Sequence, residues 1–487
     1  MTDNERNTVR EEKLESIVSL GIDPYPARCA VPVPLETVRE SGETDEEVTA
    51  AGRLTAKREH GRTVFADLRD PTGTIQLYLG RKVLSDAEWS LLELLDLGDI
   101  VEVTGPVFTT RTGELTVKCM RLKLLCKSLR QLPVVKVDSE GVAHDEVSDR
   151  DFLYRHRCVD LHVNPDSLKR FRSRSAIISS LRSYLDSRGF LEVETPVLQP
   201  IYGGAAAEPF ETMYGSMGQK FYLRIATELY LKRLISGGMD RVYEIGKDFR
   251  NEGVDRTHSP EFTQLELYEA YSDYEGMMRR FEEMVAGAAE AAGAGREIIL
   301  EGTPIDLEPP FERIGFMDSL REASGEDLFS WEPGDLKRLL QETGIVSEAA
   351  DRITMLDKLF DHYVAHRIVM PTFVVDYPVE LSPLAKRKPG DPTLTERFEA
   401  FLGGLELANA FSEQNNPELQ REILAEQARS SEHREGELDE DFLYALEVGM
   451  PPTGGMGIGV DRLVMALTDT GRIRDTILFP HLRRLDQ

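Results

Sequence analysis

Cysteine is scarce. The 487-residue chain holds four, Cys29, Cys119, Cys126 and Cys158, and none stands in a CxxC pair. That spacing excludes a disulfide framework and a cysteine-based zinc site, and it suits a reducing cytoplasm. Basic residues are also short, with 58 Lys+Arg against 86 Asp+Glu and a formal net charge of −28. Taken whole, this balance argues against non-specific nucleic-acid binding. No run of about 18 apolar residues occurs, so no membrane-spanning helix is expected. The opening MTDNERNTVREEKLESIVSL has no apolar signal region and predicts an amphipathic helix. What remains, 41 % hydrophobic and 30 % charged, is the composition of a globular protein with a sizeable core. The length predicts two or three domains.

The charge is unevenly spread. Residues 48–130 hold 13 basic and 10 acidic residues, so this segment is positive while the remainder taken together is negative. The same segment is rich in strand signals. TVFADLRD, the turn PTG, and TIQLYLG give alternating Ile75, Leu77 and Leu79. DIVEVTGPVFTTRTGELTVKC reads as two more strands, and SDAEWSLLELLDLGD as a helix between the pairs. About five short strands with one interposed helix predict a small closed barrel of the oligonucleotide-binding (OB) type, with an SH3-like barrel as the alternative. The expected organisation is an N-terminal helical segment at 1–45, the barrel at 46–130 and a polar connection at 131–165. An α+β domain follows at 166–487, with a helical insertion at about 310–370. Residues 40–50, ESGETDEEVTA, read as an acidic linker, and 428–442 as an acidic surface segment.

Three stretches carry chemistry. FRNEGVDRTHSPEF, at 249–262, packs two arginines, a histidine and three carboxylates between phenylalanines. The flanking RVYEIGKDF and TQLELYEA read as strands, so the segment is a hairpin with a charged loop. Arg250 offers a planar fork for phosphate or carboxylate, His258 a further donor, and Phe262 a flat face for a base. Glu266 and Tyr268, two apart on a strand, share a face. A salt-bridged hairpin surface would show the same residues. PPTGGMGIGVDRLVMAL, from 451, is a Gly-rich loop running into an amphipathic helix near Asp461 and Arg462. It is neither a P-loop nor a GxGxxG dinucleotide fingerprint, but glycines let backbone approach a ligand closely. RFEAFLGGLELANAFSE, from 397, spaces Glu399, Glu406 and Glu413 seven apart. Paired carboxylates can hold Mg²⁺ against phosphates. A charged helix face gives that spacing too, but Gly403-Gly404 favours strands.

Together these stretches resemble the class II aminoacyl-tRNA synthetases, in their lysine-type branch. The likeness runs from about residue 10 to the end. GFLEVETPVL is similar to the family's motif 1, FRNEGVDRTHSPEFTQLELYEAYSDY to motif 2, and GMGIGVDRLVMALTDTGRIRDTILFP to motif 3. YPVELSPLAKR and LANAFSE resemble lysine-type signatures. The resemblance implies an antiparallel catalytic sheet flanked by helices, an anticodon-binding OB barrel, and a cytoplasmic homodimer. It implies ATP, L-lysine and a lysine-specific tRNA as substrates.

Residue roles follow from the same likeness. Arg250 would bind the α-phosphate and the lysine carboxylate. Arg462 would lie on the γ-phosphate side and stack on adenine opposite Phe262, with Glu252 and His258 helping to place ATP. Glu399 and Glu406 would hold Mg²⁺. An ammonium taken from water needs an anion. Glu413 with Tyr268 would take the ε-ammonium, and Glu228 with the backbone of Gly204 the α-ammonium. Glu266, Asn409 and Phe411 would complete the wall. In the barrel, Phe65 would stack an anticodon base, with Gln76 and Glu114 reading edges. The chain departs from the family pattern at Glu208, Tyr214-Gly215, Thr227, Ser259 and Asn416. Two other readings stay open: an aspartyl- or asparaginyl-type ligase, and a degenerate synthetase that binds RNA or regulates.

Overall fold

A computed structural model describes residues 8–133, 136–137, 143–144, 149–205, 207–345, 351–430 and 438–484. Parts of the expected connection at 131–165 and of the acidic segment at 428–442 lie outside the described residues. The chain divides into two compact units, Met1–Val159 and Asp160–Gln487.

In the first unit, helices α1 (Thr8–Ser19) and α2 (Leu35–Ser41) precede six strands. These are β1 (Thr44–His60), β2 (Thr63–Asp70), β3 (Gly73–Gly80), β4 (Ile100–Thr109), β5 (Leu115–Lys118) and β6 (Arg121–Cys126). Their order is β1-β2-β3-β5-β4-β6, and β1 also pairs with β4, which closes the barrel. The β3–β5 pair is parallel, the others antiparallel. Alternation decides what goes inside: Val64, Ala66, Leu68, Ile75, Leu77 and Leu79 are buried in one apolar cluster. At the β2–β3 turn, Asp70 Oδ1 accepts from the amides of Thr72 and Gly73, at 2.7 and 2.9 Å. Helix α3 (Asp86–Leu94) lies between β3 and β4 and starts at a Ser85–Glu88 capping box.

The acidic linker expected at 40–50 is not a linker. Residue 41 ends α2 and residue 44 begins β1. Glu43, just before β1, accepts the Thr109 amide at 2.9 Å, and Glu47, at an exposed position on β1, pairs with Arg121 at 2.9 Å.

In the second unit, eight strands form the main sheet: β7 (Leu191–Glu192), β8 (Arg241–Phe249), β9 (Glu261–Ala270), β10 (Glu312–Gly315), β11 (Thr372–Val375), β12 (Arg397–Leu402), β13 (Leu405–Ser412) and β14 (Thr453–Gly459). The order is β10-β11-β12-β13-β14-β9-β8-β7. Only the outermost pairs are parallel. One face carries Tyr243, Leu265, Leu267, Phe398, Ala408, Ala410, Met456 and Ile458. They pack against α4 (Pro165–Ser187), α6 (Tyr274–Ala291) and α7 (Val460–Leu467) in the largest apolar cluster described. Helix α5 (Glu228–Ser236) packs on β8 and β9.

Three local expectations change. The strand expected over LEVETPVL shrinks to Leu191–Glu192, because Pro196 and the residues before it leave the ladder. The Gly-rich stretch is not a loop but the central strand β14, held on both sides by β9 and β13. The insertion at about 310–370 opens with β10, which joins the main sheet. Helices Phe316–Ser324, Pro333–Glu342 and Arg352–Tyr363 follow around a separate apolar cluster. Among the described residues no helix is long and apolar enough to cross a membrane.

Candidate functional site

The strand register assembles the site. Directly opposed residues point to the same side of a sheet. Glu244 faces Glu266, Gly246 faces Gln264, and Asp248 faces Phe262. Across β14, Glu266 meets Gly457 and Tyr268 meets Gly455. Gly457 then meets Asn409, Gly455 meets Phe411, and beyond them stand Glu399 and Arg397. All of these lie on the face away from the packed helices. The glycine row leaves room on it. A Cβ on Gly455 would lie 2.0 Å from Glu413 Oε1 and 2.5 Å from the Tyr268 ring. One on Gly457 would lie 2.6 Å from the Gln264 amide nitrogen.

Over this floor opens a cavity of about 730 Å³. Gly204, Glu228, Arg250, Glu266, Tyr268, Asn409, Phe411 and Glu413 all line it. Glu228, Glu266, Tyr268 and Glu413 are buried, at 8, 4, 3 and 1 % exposure. Burial first, then Asp248 and Glu228, pushes the Glu266 carboxyl up to about 8. Glu266 accepts from the Tyr268 hydroxyl and the Gln264 amide, each at 3.2 Å. Burial also holds the Glu413 carboxyl well above the usual range, against the pull of Lys232.

Beside the cavity lies a second polar cluster. The Arg250 guanidinium stands 5.0 Å from the centre of the Phe262 ring, and its Nε donates to the Ile225 carbonyl at 3.4 Å. Arg462 is engaged elsewhere. Its Nη1 donates to the Glu406 carbonyl and carboxylate at 3.0 and 3.1 Å, and its Nη2 to His258 Nε2 at 2.8 Å. His258 Nε2 therefore accepts, which leaves the ring proton on Nδ1 facing Asp255 Oδ2 at 2.8 Å. So the cation over Phe262 is Arg250, while Arg462 is turned to Glu406 and His258. Asp461 fixes the start of α7. It takes Arg174 at 2.6 Å and the Thr263 amide at 2.6 Å, which ties the helix carrying Arg462 to β9. Glu252 is exposed, with its amide donating to the Arg250 carbonyl at 2.8 Å.

Glu399 accepts from Arg397 at 2.6 Å and from the Tyr377 hydroxyl at 2.8 Å. Burial first, then the nearby charge of Glu406, pushes its carboxyl up to about 7. Among the described residues no three Asp, Glu, His or Cys side chains gather as a metal-ion site. Two hard oxygen donors fit Mg²⁺, which commonly keeps water and phosphate oxygens as its other ligands.

The sequence reading missed several contributors. Lys232 lies four residues after Glu228 on α5, fully buried, and pairs with Glu228 at 2.5 Å and with Glu413. That i,i+4 spacing was the available signal. Arg224 pairs with Glu244 at 2.5 Å and Asp248 at 3.2 Å on the strand leading to Arg250. Gln264 and Arg397 line the cavity. Asn416 accepts the amides of Glu418 and Leu419, at 3.0 and 3.3 Å, as a helix-start residue.

The barrel has its own half-buried polar and aromatic face. Phe65 and Tyr78 are opposed across β2 and β3, with ring centres 5.6 Å apart, and Phe108 lies 6.1 Å beyond Tyr78. Gln76 accepts from Thr116 at 3.0 Å, while Glu114 is exposed at the turn before β5.

Residues 149–483 match the family model "tRNA synthetases class II (D, K and N)", and residues 48–125 match "OB-fold nucleic acid binding domain". The chain belongs to the class II tRNA synthetases of this group. A lysine–tRNA ligase of Thermoanaerobacter sp. (strain X514) is 47 % identical to this synthetase over 99 % of its length and 96 % of the relative's. Lysine–tRNA ligases of Carboxydothermus hydrogenoformans and Moorella thermoacetica are each 46 % identical, over 99 % of this chain and 99 and 98 % of theirs. The α+β architecture, a barrel of the OB type and a helix-flanked, mostly antiparallel sheet, is the one these family matches describe.

Proposed function

We propose that this synthetase joins L-lysine to the 3′ end of its tRNA through a lysyl-adenylate made from ATP. One observation carries the choice of amino acid. The cavity collects three buried glutamate carboxyl groups, Glu228, Glu266 and Glu413, with Arg250 on its wall. An aspartate side chain would need a cation where these acids stand. The amino-acid carboxylate belongs at Arg250, the ε-ammonium at Glu413 and Tyr268, and the α-ammonium at Glu228 and the Gly204 backbone. Glu266, Asn409 and Phe411 close the wall. That arrangement disfavours the aspartyl and asparaginyl readings. The intact pair Arg250 and Arg462 disfavours the degenerate one.

The chemistry needs no protein nucleophile. The lysine carboxylate attacks the α-phosphorus, and Arg250 neutralises charge on both reacting groups. Phe262 offers a face to adenine. Arg462, Glu252 and His258 hold the triphosphate side. Glu399 and Glu406 would hold Mg²⁺, which supplies charge neutralisation for the leaving pyrophosphate. The tRNA 3′-hydroxyl then attacks the adenylate carbonyl and gives up its proton, the acyl–phosphate bond breaks, and AMP leaves. Catalysis is positioning and electrostatics. Phe65, Gln76 and Glu114 of the barrel face take the anticodon. The working unit is a homodimer in the cytoplasm. With ATP, Mg²⁺, labelled lysine and bulk tRNA, the purified protein should form lysyl-tRNA, and EDTA should stop it. Charging with aspartate or asparagine instead would overturn the reading.

A further inference from the structure

Lys232 lies on α5 behind the cavity wall with 1 % exposure, and, against burial, Glu228 and Glu413 raise its ammonium above the usual lysine range. Its ammonium reaches Glu228 Oε1 at 2.5 Å and Glu413 Oε2. It stands 5.2 Å from the Phe411 ring centre and 6.0 Å from that of Phe442, so the rest of its surroundings is apolar. The other oxygen of each carboxylate points elsewhere. Glu228 Oε2 lies 3.8 Å from where a Cβ on Gly204 would stand. Glu413 Oε1 lies over Gly455 beside Tyr268 and has no hydrogen-bond partner among the described residues. Each carboxylate thus gives one oxygen to Lys232, while its other oxygen lies against a residue of the cavity lining, Gly204 for Glu228 and Gly455 with Tyr268 for Glu413.

We infer that Lys232 is a positioning residue for amino-acid recognition: it splints Glu228 and Glu413 so that their outer oxygens receive the two ammonium groups of one lysine. This rests on the proposed lysine pocket. The physical reasons are two. Two carboxylates facing one apolar wall repel each other and tend to take up protons unless a cation lies between them. A carboxylate held by one oxygen also has its plane fixed, so the free oxygen is pre-aimed and less ordering is left for binding. Lys232 itself is kept from the substrate, since the wall residues and not Lys232 line the cavity.

The test uses the full chain and ATP–pyrophosphate exchange without tRNA. Lys232→Met removes the charge at similar volume, and Lys232→Arg keeps it with a longer, planar head. Wild-type exchange with lysine is the control; its absence would fail the proposed function and not this inference. Given that control, Lys232→Met should raise the KM for lysine at least about 30-fold, with the KM for ATP within about 2-fold. Its kcat/KM preference for lysine over norleucine, which lacks the ε-ammonium, should fall about 10-fold or more. A merely structural role would weaken both amino acids and ATP together. Lys232→Arg should restore part of the preference, and it decides the matter if Lys232→Met does not fold. A lysine KM within about 2-fold of wild type in folded Lys232→Met, or in Lys232→Arg a KM for ATP raised as much as that for lysine, would overturn the inference.

Discussion

Glu266 shows how one side chain couples the pocket to pH. Its carboxyl is pushed up to about 8 by burial, Asp248 and Glu228. The folded chain therefore keeps a proton that the unfolded chain releases near the ordinary glutamate value. Stability from this group is full below that value and is lost as pH rises toward about 8. Glu266→Gln mimics the protonated form and removes the dependence. Thermal unfolding of ligand-free protein between about pH 5 and pH 8.5 should show the variant gaining on wild type as pH rises. A gap that stays constant across that range would mean Glu266 titrates normally. At this scale the sequence was informative where a motif names the residue. The eight residues that the family resemblance placed around the amino acid line one cavity. Arg224 and Asp248 were not legible, since a buried ion pair depends on contacts distant in sequence, and Lys232 showed only its i,i+4 spacing to Glu228. Arg224 meets Glu244 twenty residues away, and Lys232 meets Glu413 across two elements.

Among the elements, β14 decides most. Its glycines made it read as a loop, because glycine weakens a strand when judged alone. Two neighbouring strands hold it, and its bare face is what lets Glu413, Tyr268 and Gln264 lie over the sheet. Gly455→Ala would put a methyl group within 2.0 Å of Glu413 Oε1. Tyr268 is also 2.5 Å away and anchored in the core, so relief must come from moving the carboxylate. Exchange kinetics should show a lysine KM raised about 10-fold or more with little change for ATP. An unaltered lysine KM would mean that Glu413 does not receive the substrate. The β12–β13 turn was legible for the opposite reason. Gly403 and Gly404 both take positive φ, 61° and 73°, which a two-residue hairpin turn requires. Helix α7 was legible from its apolar period, while Pro196 in motif 1 hid how little of that segment pairs.

The whole molecule is an acidic chain with a net charge of −28, and the barrel stretch 48–130 runs against that balance with 13 basic and 10 acidic residues. Under the proposed function that local basic excess lets the barrel meet a polyanion. Phe65→Ala should raise the KM for tRNA about 10-fold or more, as expected for one lost base stack. It should leave ATP–pyrophosphate exchange unchanged, and a fall in exchange would place Phe65 in the barrel core instead of on its binding face. The central claim is that the carboxylate-lined cavity selects lysine. It is tested most directly by ATP–pyrophosphate exchange on purified full-length protein with Mg²⁺ and each amino acid in turn, without tRNA. The account predicts exchange with lysine and none with aspartate or asparagine. Exchange with aspartate or asparagine, or with no amino acid at all, would contradict it.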